Sequence, residues 1–320
     1  MEYASPVTFL HWHVEPALIG GLLFASWCYV LLVGPFRERI TPGMPFPKRE
    51  ARWFAAAMLT FYLAVGSPLD PLGENYLFFA HMIQHNVLMY VSPLFLLLGI
   101  PGRLWDELFE RRTDVRALCR VLFHPVVAGL AFTLVFSFWH FAAFYEAAIQ
   151  NKTLHMAEHL SMFFASFAMW WAIASPSKHL PPIHFGPQML YILALMLGQT
   201  PIFAILTFSE EVLYDTYFYA ERIMDLSPLE DQKAGGVLMK IVNMAVSISV
   251  LGSVFYRWSK TEVRKFAVPI ARALKVATGI CCSIARIGTR YRPANTPMTP
   301  SSTNTSHQVS DTRPSSTNVI

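Results

Sequence analysis

The chain has 320 residues, of which 54% are hydrophobic and 14% are charged, with a mean hydropathy of +0.38 and a formal net charge of +4. Soluble domains carry about a quarter charged residues, so this composition excludes an ordinary soluble domain. No segment has the signature of a nucleic-acid-binding motif, and no nucleic-acid partner is expected. The four cysteines form no CxxC or CxC pair, so we expect neither a disulfide framework nor a thiolate metal site.

Seven apolar runs follow one another along the chain, and each is predicted to cross a membrane as a helix. Pro35 follows the first run, Pro93 lies within the third, and Pro201 within the sixth is expected to kink its helix. The predicted spans are Val14–Gly34, Trp53–Gly66, Tyr76–Gly99, Phe123–Phe144, Leu154–Ser175, Pro187–Phe208 and Gly235–Trp258.

Basic residues collect in alternate loops. The loops after the first and third spans, and the segment after the seventh, are rich in Lys and Arg, whereas the loop after the second has none and carries Asp70 and Glu74. This asymmetry predicts an N-terminus outside and a C-terminus inside a plasma or inner membrane. The first ten residues also lack Lys and Arg, so the first run is predicted to be a permanent helix and not a signal peptide.

Three segments are predicted from these patterns. Residues 1–258 form an all-α, seven-helix transmembrane domain. Residues 259–292 mix basic and apolar residues, as a helix lying on anionic membrane lipid does. Residues 293–320 are rich in Ser, Thr, Asn and Pro and are predicted to be disordered.

Five histidines lie at the predicted outer ends of the spans. His81 and His85 open the third span, His155 and His159 open the fifth, and His140 lies near the outer end of the fourth. Residues four apart lie on one face of a helix, so each pair presents two imidazoles together, and all five histidines are predicted ligands of one outward-facing metal site. Imidazoles and thioethers together suit copper, particularly Cu(I), whereas imidazoles alone also suit zinc or haem iron. Secondary metal candidates are Met82, Met89, Met156, Glu158 and Met239.

The predicted spans carry no Asp, Glu, Lys or Arg near their middle, which argues against a proton-coupled pump. Gln199 is the main polar residue deep in the sixth span and is expected to hydrogen-bond a neighbouring helix. Asp231 and Gln232, before the last span, either dock a partner or support the metal ligands, or else belong to a cap of the seventh helix.

Four groups of residues together resemble a known family: His81-Met82-Ile83-Gln84-His85 with Pro93 and Gly99-Ile100-Pro101; Trp139-His140 with Tyr145; His155-Met156-Ala157-Glu158-His159 with Trp170-Trp171; and Leu226–Gln232 with Gly235-Gly236 and Met239. They are similar to the third, fourth, fifth and last spans of the polytopic CtaG family of cytochrome c oxidase assembly factors, over about residues 10–258. Lys240 stands where that family pattern suggests an aromatic residue, and the tail after Trp258 has no counterpart.

The resemblance implies a non-enzymatic role in making active haem-copper oxidase at the copper-insertion step, with oxidase subunits as partners. Two other hypotheses stay open at this point: a haem-binding membrane protein with axial histidines from two helices, and a copper transporter. Because only neutral imidazoles bind a metal ion, copper affinity is expected to fall below about pH 6.

Overall fold

The computed structural model describes residue 12 and residues 15–288, with side chains described to residue 265 and at 269–270. Helices are the only regular elements in this part of the chain, which confirms the all-α prediction. The segment predicted to be disordered lies outside the described residues. One compact unit ends at Thr261, and a second begins at Glu262.

The described helices are α1 (Pro16–Val33), α2 (Arg37–Ile40), α3 (Lys48–Val65), α4 (Leu69–Asn75), α5 (Phe78–Asn86), a π-helical turn (Val87–Val91), α6 (Ser92–Gly99), α7 (Gly102–Arg111), α8 (Thr113–Leu122), α9 (Pro125–His140), α10 (Ala142–Gln150), α11 (Lys152–Ala174), α12 (Phe185–Phe208), α13 (Asp215–Tyr219) and α14 (Pro228–Gly288).

Four helical segments of the described chain are long and apolar enough to cross a membrane: Pro16–Val33, Phe78–Gly99, Phe185–Phe208 and Pro228–Lys265. A fifth arises if α8 and α9, which meet at a bend of 60°, form one span. The predicted second and fifth spans also coincide with helices, α3 and α11. The structure thus supports a protein with several membrane helices, while the count of seven and the orientation stay predictions.

Local sequence explains several helix boundaries. Proline occupies the first turn of α1 and of α9, where its missing N–H costs no hydrogen bond. The Asn151 side chain caps α11 by accepting hydrogen bonds from the N–H groups of Thr153 and Leu154. At the start of α14, Ser227 and Glu230 form a reciprocal capping box, in which the Ser227 Oγ accepts from the Glu230 N–H at 3.3 Å.

The third predicted span is interrupted by a π-helical turn that begins at Val87, two residues after the second histidine of its pair. Pro93 follows this turn and has no N–H to donate to the carbonyl of Met89, four residues earlier. The indole Nε1 of Trp170 on α11 donates to that carbonyl at 3.2 Å instead. The irregular backbone of this span is therefore satisfied by the neighbouring helix.

The fourth predicted span ends earlier than expected. We predicted a span through Phe144, but α9 ends at His140, and Phe141 is extended with φ −71° and ψ 131°. The chain turns there, and α10 begins at Ala142. This turn carries the fully buried Tyr145 to the aromatic core beside His81, with ring centroids 5.4 Å apart.

Candidate metal centre

Two helices bring four potential metal ligands together in the core. The i, i+4 spacing places His81 and His85 on one face of α5, while α11 presents Glu158 and His159. One ligand atom from each of the four residues lies within 4.8 Å of each of the others. We call these four residues the histidine–glutamate cluster. All are buried, and His81, His85 and Glu158 are fully inaccessible to solvent.

The imidazole rings of the cluster are in contact within and between the helices. The centroids of His81 and His85 are 4.3 Å apart, and His159 lies 5.5 Å and 5.4 Å from them, respectively. Nε2 of His85 lies 3.4 Å from Oε1 of Glu158. The two histidine pairs therefore lie together in one cluster, as the sequence predicted.

His140 and His155 flank the cluster on either side. The ring of His140 is 5.4 Å from that of His85, and the ring of His155 is 5.3 Å from that of His81. Nδ1 of His140 bonds to the carbonyl of Phe136 at 2.7 Å, and Nδ1 of His155 bonds to Oε1 of Glu74 at 2.7 Å. Carbonyl and carboxylate oxygens accept these bonds, so both Nδ1 atoms carry a proton, and in the neutral imidazole each Nε2 atom has a free lone pair.

Several buried side-chain atoms of the cluster and its flanking histidines lack hydrogen-bond partners in the part of the chain that the structure describes. These atoms are both ring nitrogens of His81 and His85, Nε2 of His140, His155 and His159, and both carboxylate oxygens of Glu158. A buried, unpaired carboxylate costs several kcal/mol after relaxation, and each unpaired polar group adds to this cost. A bound cation would neutralise the carboxylate and use the imidazole lone pairs. The donor set therefore fits a transition-metal ion.

Asp231 supports the site from outside the cluster. It is fully buried, and its carboxylate accepts hydrogen bonds from the N–H groups of Phe78 (2.9 Å) and Phe79 (3.0 Å). These groups open α5, so Asp231 caps the helix that carries His81 and His85 although it lies about 150 residues away in the chain. The first turn of α14, to which Asp231 belongs, is capped by Ser227 and Glu230 instead.

Gln232 bonds to the loop between α12 and α13 and not to α5. Its Oε1 accepts from the N–H of Leu213 at 2.7 Å, and its Nε2 donates to the carbonyl of Glu211 at 3.3 Å. Gln232 thus holds the segment between α12 and α13 against α14. Neither partner is a cluster residue.

The candidate methionines fall into two groups. Met82, Met89 and Met239 are buried in the main hydrophobic core. Met156 is 53% exposed, although His155, its neighbour in the sequence, is buried. Adjacent residues on a helix point about 100° apart, which explains why Met156 does not share the direction of His155.

Sequence reasoning missed three contributors. Tyr217 donates to the carbonyl of Gly73 at 2.7 Å, and its hydroxyl is also 2.7 Å from that of Tyr145. Tyr214 donates to the carbonyl of His140 at 2.9 Å. Glu74 was noted only as a loop charge. No spacing rule links these residues to the histidines, because they come from α4 and from the segment before α14.

Gly73 permits the close approach of α4 to α5. A Cβ atom at this position would lie 2.9 Å from both N and Cα of His81, which are backbone atoms that cannot move aside. Glycine is therefore required where the chain passes the first histidine.

The fold and the site together define an all-helical protein that has several helices apolar enough to cross a membrane and a buried group of three histidines and one glutamate between two of its helices. A family model described as cytochrome c oxidase caa3 assembly factor (Caa3_CtaG) matches residues 27–261. The chain belongs to this family, which confirms the resemblance seen in its motifs. No curated protein and no solved structure is significantly similar to it.

Proposed function

We propose that this protein binds one copper ion in the histidine–glutamate cluster and helps to load copper into cytochrome c oxidase. Membership of the assembly-factor family supports the link to the oxidase. The observation that carries the metal assignment is the group of ligand atoms of His81, His85, Glu158 and His159 within 4.8 Å of one another. As an assembly factor, the protein would act by binding and not by catalysis.

The geometry favours a single ion over a porphyrin. Imidazole centroids lie 4.2 to 5.5 Å apart across the site, and the rings contact each other directly. A haem bound by two axial histidines needs a slot between those two rings. Here Tyr145 packs beside His81, and Phe136 packs beside His140 at 4.3 Å, so aromatic rings fill the neighbouring space.

Among metal ions, the imidazole-rich donor set favours copper. Copper binds most nitrogen sites more tightly than other divalent first-row metals do. The single carboxylate would offset the charge of the ion inside the core. His140 and His155 lie at the edge of the cluster, and their Nε2 atoms have no hydrogen-bond partner in the described chain, so they are available as further ligands when the ion enters or leaves.

The first test is elemental analysis with an optical spectrum on detergent-purified protein expressed with copper and haem both supplied. We expect about one copper per chain and no Soret band. A Soret band without copper would overturn the copper assignment and make haem the ligand.

The second test concerns cytochrome c oxidase, the proposed recipient of the copper. In a host that lacks this protein, oxidase copper content and activity are expected to fall, and to return with the wild-type chain but not with His81→Ala/His85→Ala. Oxidase that is fully copper-loaded without the protein would contradict the proposed function.

A further inference from the structure

The Glu74–His155 pair lies beside the cluster but is not part of the four-residue ligand group. The side chain of Glu74 is 31% exposed, whereas that of His155 is 8% exposed. The pair therefore runs from the protein surface to the edge of the buried site. The four cluster residues are buried and have no comparable exposed partner in the described chain.

The hydrogen bond to Glu74 prepares His155 to receive a cation. It fixes the proton on Nδ1, so Nε2 carries the lone pair. This Nε2 atom is buried and lacks a hydrogen-bond partner in the described structure. Its ring centroid is 4.2 Å from that of His159 and 5.3 Å from that of His81. A cation held by His155 would be in contact range of two cluster ligands.

Negative charge surrounds the exposed end of this pair. Lys152 forms an ion pair with Glu15, and Glu15, Glu74 and Asp70 together raise the pKa of Lys152, with the bond to Glu15 as the largest cause. Among the described residues, the carboxylates Glu15 and Glu74 therefore lie near a single ammonium group, that of Lys152. Clefts with an excess of one charge concentrate ions of the opposite charge.

We propose that Glu74 and His155 form the exchange site through which copper reaches and leaves the histidine–glutamate cluster. This inference rests on the proposed copper site and adds its route. On entry, a bond between copper and Nε2 of His155 forms as a bond to the donor breaks, and the ion then passes to His81 and His159 by ligand exchange. On exit the same steps run in reverse, so that a bond to the acceptor forms as the Nε2 bond breaks, and no electron is transferred.

The test measures transfer rates and affinity separately. Full-length protein in detergent is loaded with Cu(I), and copper is withdrawn by the chromophoric chelator bathocuproine disulfonate; the reverse transfer is followed from the copper–chelator complex. For His155→Ala and Glu74→Gln we expect both rates to fall by about tenfold or more, with Kd changed less than about threefold. An exchange site affects the barrier and not the end states.

Glu146→Gln is the matched control. Glu146 is another carboxylate close to this region, but it bonds to Thr216 at the start of α13 and not to a histidine. Its rates are expected to match those of the wild type. Size-exclusion profiles identify any variant that fails to fold, and Glu74→Gln then carries the test, because it keeps the size of the side chain.

The outcomes separate this inference from the proposed function. If His155→Ala loses stoichiometric copper, His155 is a resident ligand, and the exchange role is overturned while the copper site stands. If copper-transfer rates are unchanged in both His155→Ala and Glu74→Gln, copper takes another route, and the exchange role is overturned as well. If the wild-type protein binds no copper, the proposed function fails together with the route.

Discussion

Two buried polar clusters lie in the helical bundle, and they differ in how their atoms are satisfied. In the first, Tyr90 donates to Gln199 Oε1 at 2.8 Å, and Asn243 Nδ2 bonds to the same oxygen at 2.6 Å and to the Tyr90 hydroxyl at 3.0 Å. In the second, the histidine–glutamate cluster, His81, His85 and Glu158 have no side-chain hydrogen bond in the described chain.

The difference indicates two roles for buried polarity. The Tyr90–Gln199–Asn243 group joins three separate helical segments, and it confirms the expectation that Gln199 bonds a neighbouring helix. Each of its members bonds to another member, although Gln199 Nε2 and Asn243 Oδ1 have no hydrogen-bond partner in the described chain, so the group stabilises the bundle. In the histidine–glutamate cluster the side chains contact one another without hydrogen bonds among His81, His85 and Glu158, which agrees with the proposed binding of a metal ion.

The largest effect is expected from removing two ligands. His81→Ala/His85→Ala should weaken Cu(I) binding by at least about 100-fold, since loss of even an outer partner of a ligand costs about 10- to 100-fold. Competition with a Cu(I) chelator measures this. The control is His124→Ala/His184→Ala, which removes two histidines that precede α9 and α12 and make no side-chain cap bond. If both double variants bound Cu(I) with equal affinity, His81 and His85 would not be ligands, and the histidine–glutamate cluster would not differ in role from the Tyr90–Gln199–Asn243 group.

Glu158→Leu should have opposite effects on the two states of the protein. Without metal, removing the unpaired buried carboxylate should stabilise the protein by about 1–4 kcal/mol, because an apolar side chain has no desolvation cost. With copper, the variant should lose the rise in Tm that ligand binding gives the wild type. Thermal unfolding in detergent with and without copper measures both. A lower Tm in the metal-free variant would show that Glu158 has a structural partner.

Asn243→Ala should destabilise the protein by about 1–3 kcal/mol with or without metal, because it leaves Gln199 and Tyr90 with fewer buried partners. Copper affinity should be unchanged. Ser253→Ala, on the exposed side of the same helix, is the control and should leave Tm almost unaltered. A change in copper affinity for Asn243→Ala would mean that the two clusters are coupled.

The smallest effect is expected at the helix cap. Asp231→Ala removes the acceptor of the Phe78 and Phe79 N–H groups and should cost about 0.5–2 kcal/mol of stability. Copper affinity should fall modestly, because α5 carries two ligands. Asp225→Ala, at an exposed position, is the control for the loss of one acidic residue. A stability loss equal to that of the control would show that the cap does not hold α5.

Much of the candidate site could be predicted from the sequence because spacing along a helix is a local property. The i, i+4 pairs on α5 and α11 are visible in the sequence, and so is the carboxylate of Glu158 beside His159. The partners of these residues could not be predicted in this way. Tyr214 and Tyr217 reach the site from a distant segment without a histidine pattern, and Glu74 bonds to His155 about 80 residues away and not to the neighbouring pair His81 and His85.

The fold shows the same division. Apolar runs predicted helices at the correct places, since helix formation in an apolar run depends on nearby residues. They did not predict the end of α9 at His140 or the π-helical turn after Asn86. Those irregularities exist because another helix or side chain satisfies the displaced backbone, as Trp170 does for the carbonyl of Met89.

By itself, the sequence determined the all-helical class and the family, and it predicted five histidine ligands with Glu158 as a secondary candidate, because composition and helical periodicity are carried by neighbouring residues. Only the tertiary structure decided that Glu158 lies with His81, His85 and His159 while His140 and His155 flank them, that Asp231 caps α5 and not its own helix, and that Met156 faces outward while His155 is buried. These facts depend on contacts across about 70 to 150 residues of chain, and such contacts are set by how the helices pack.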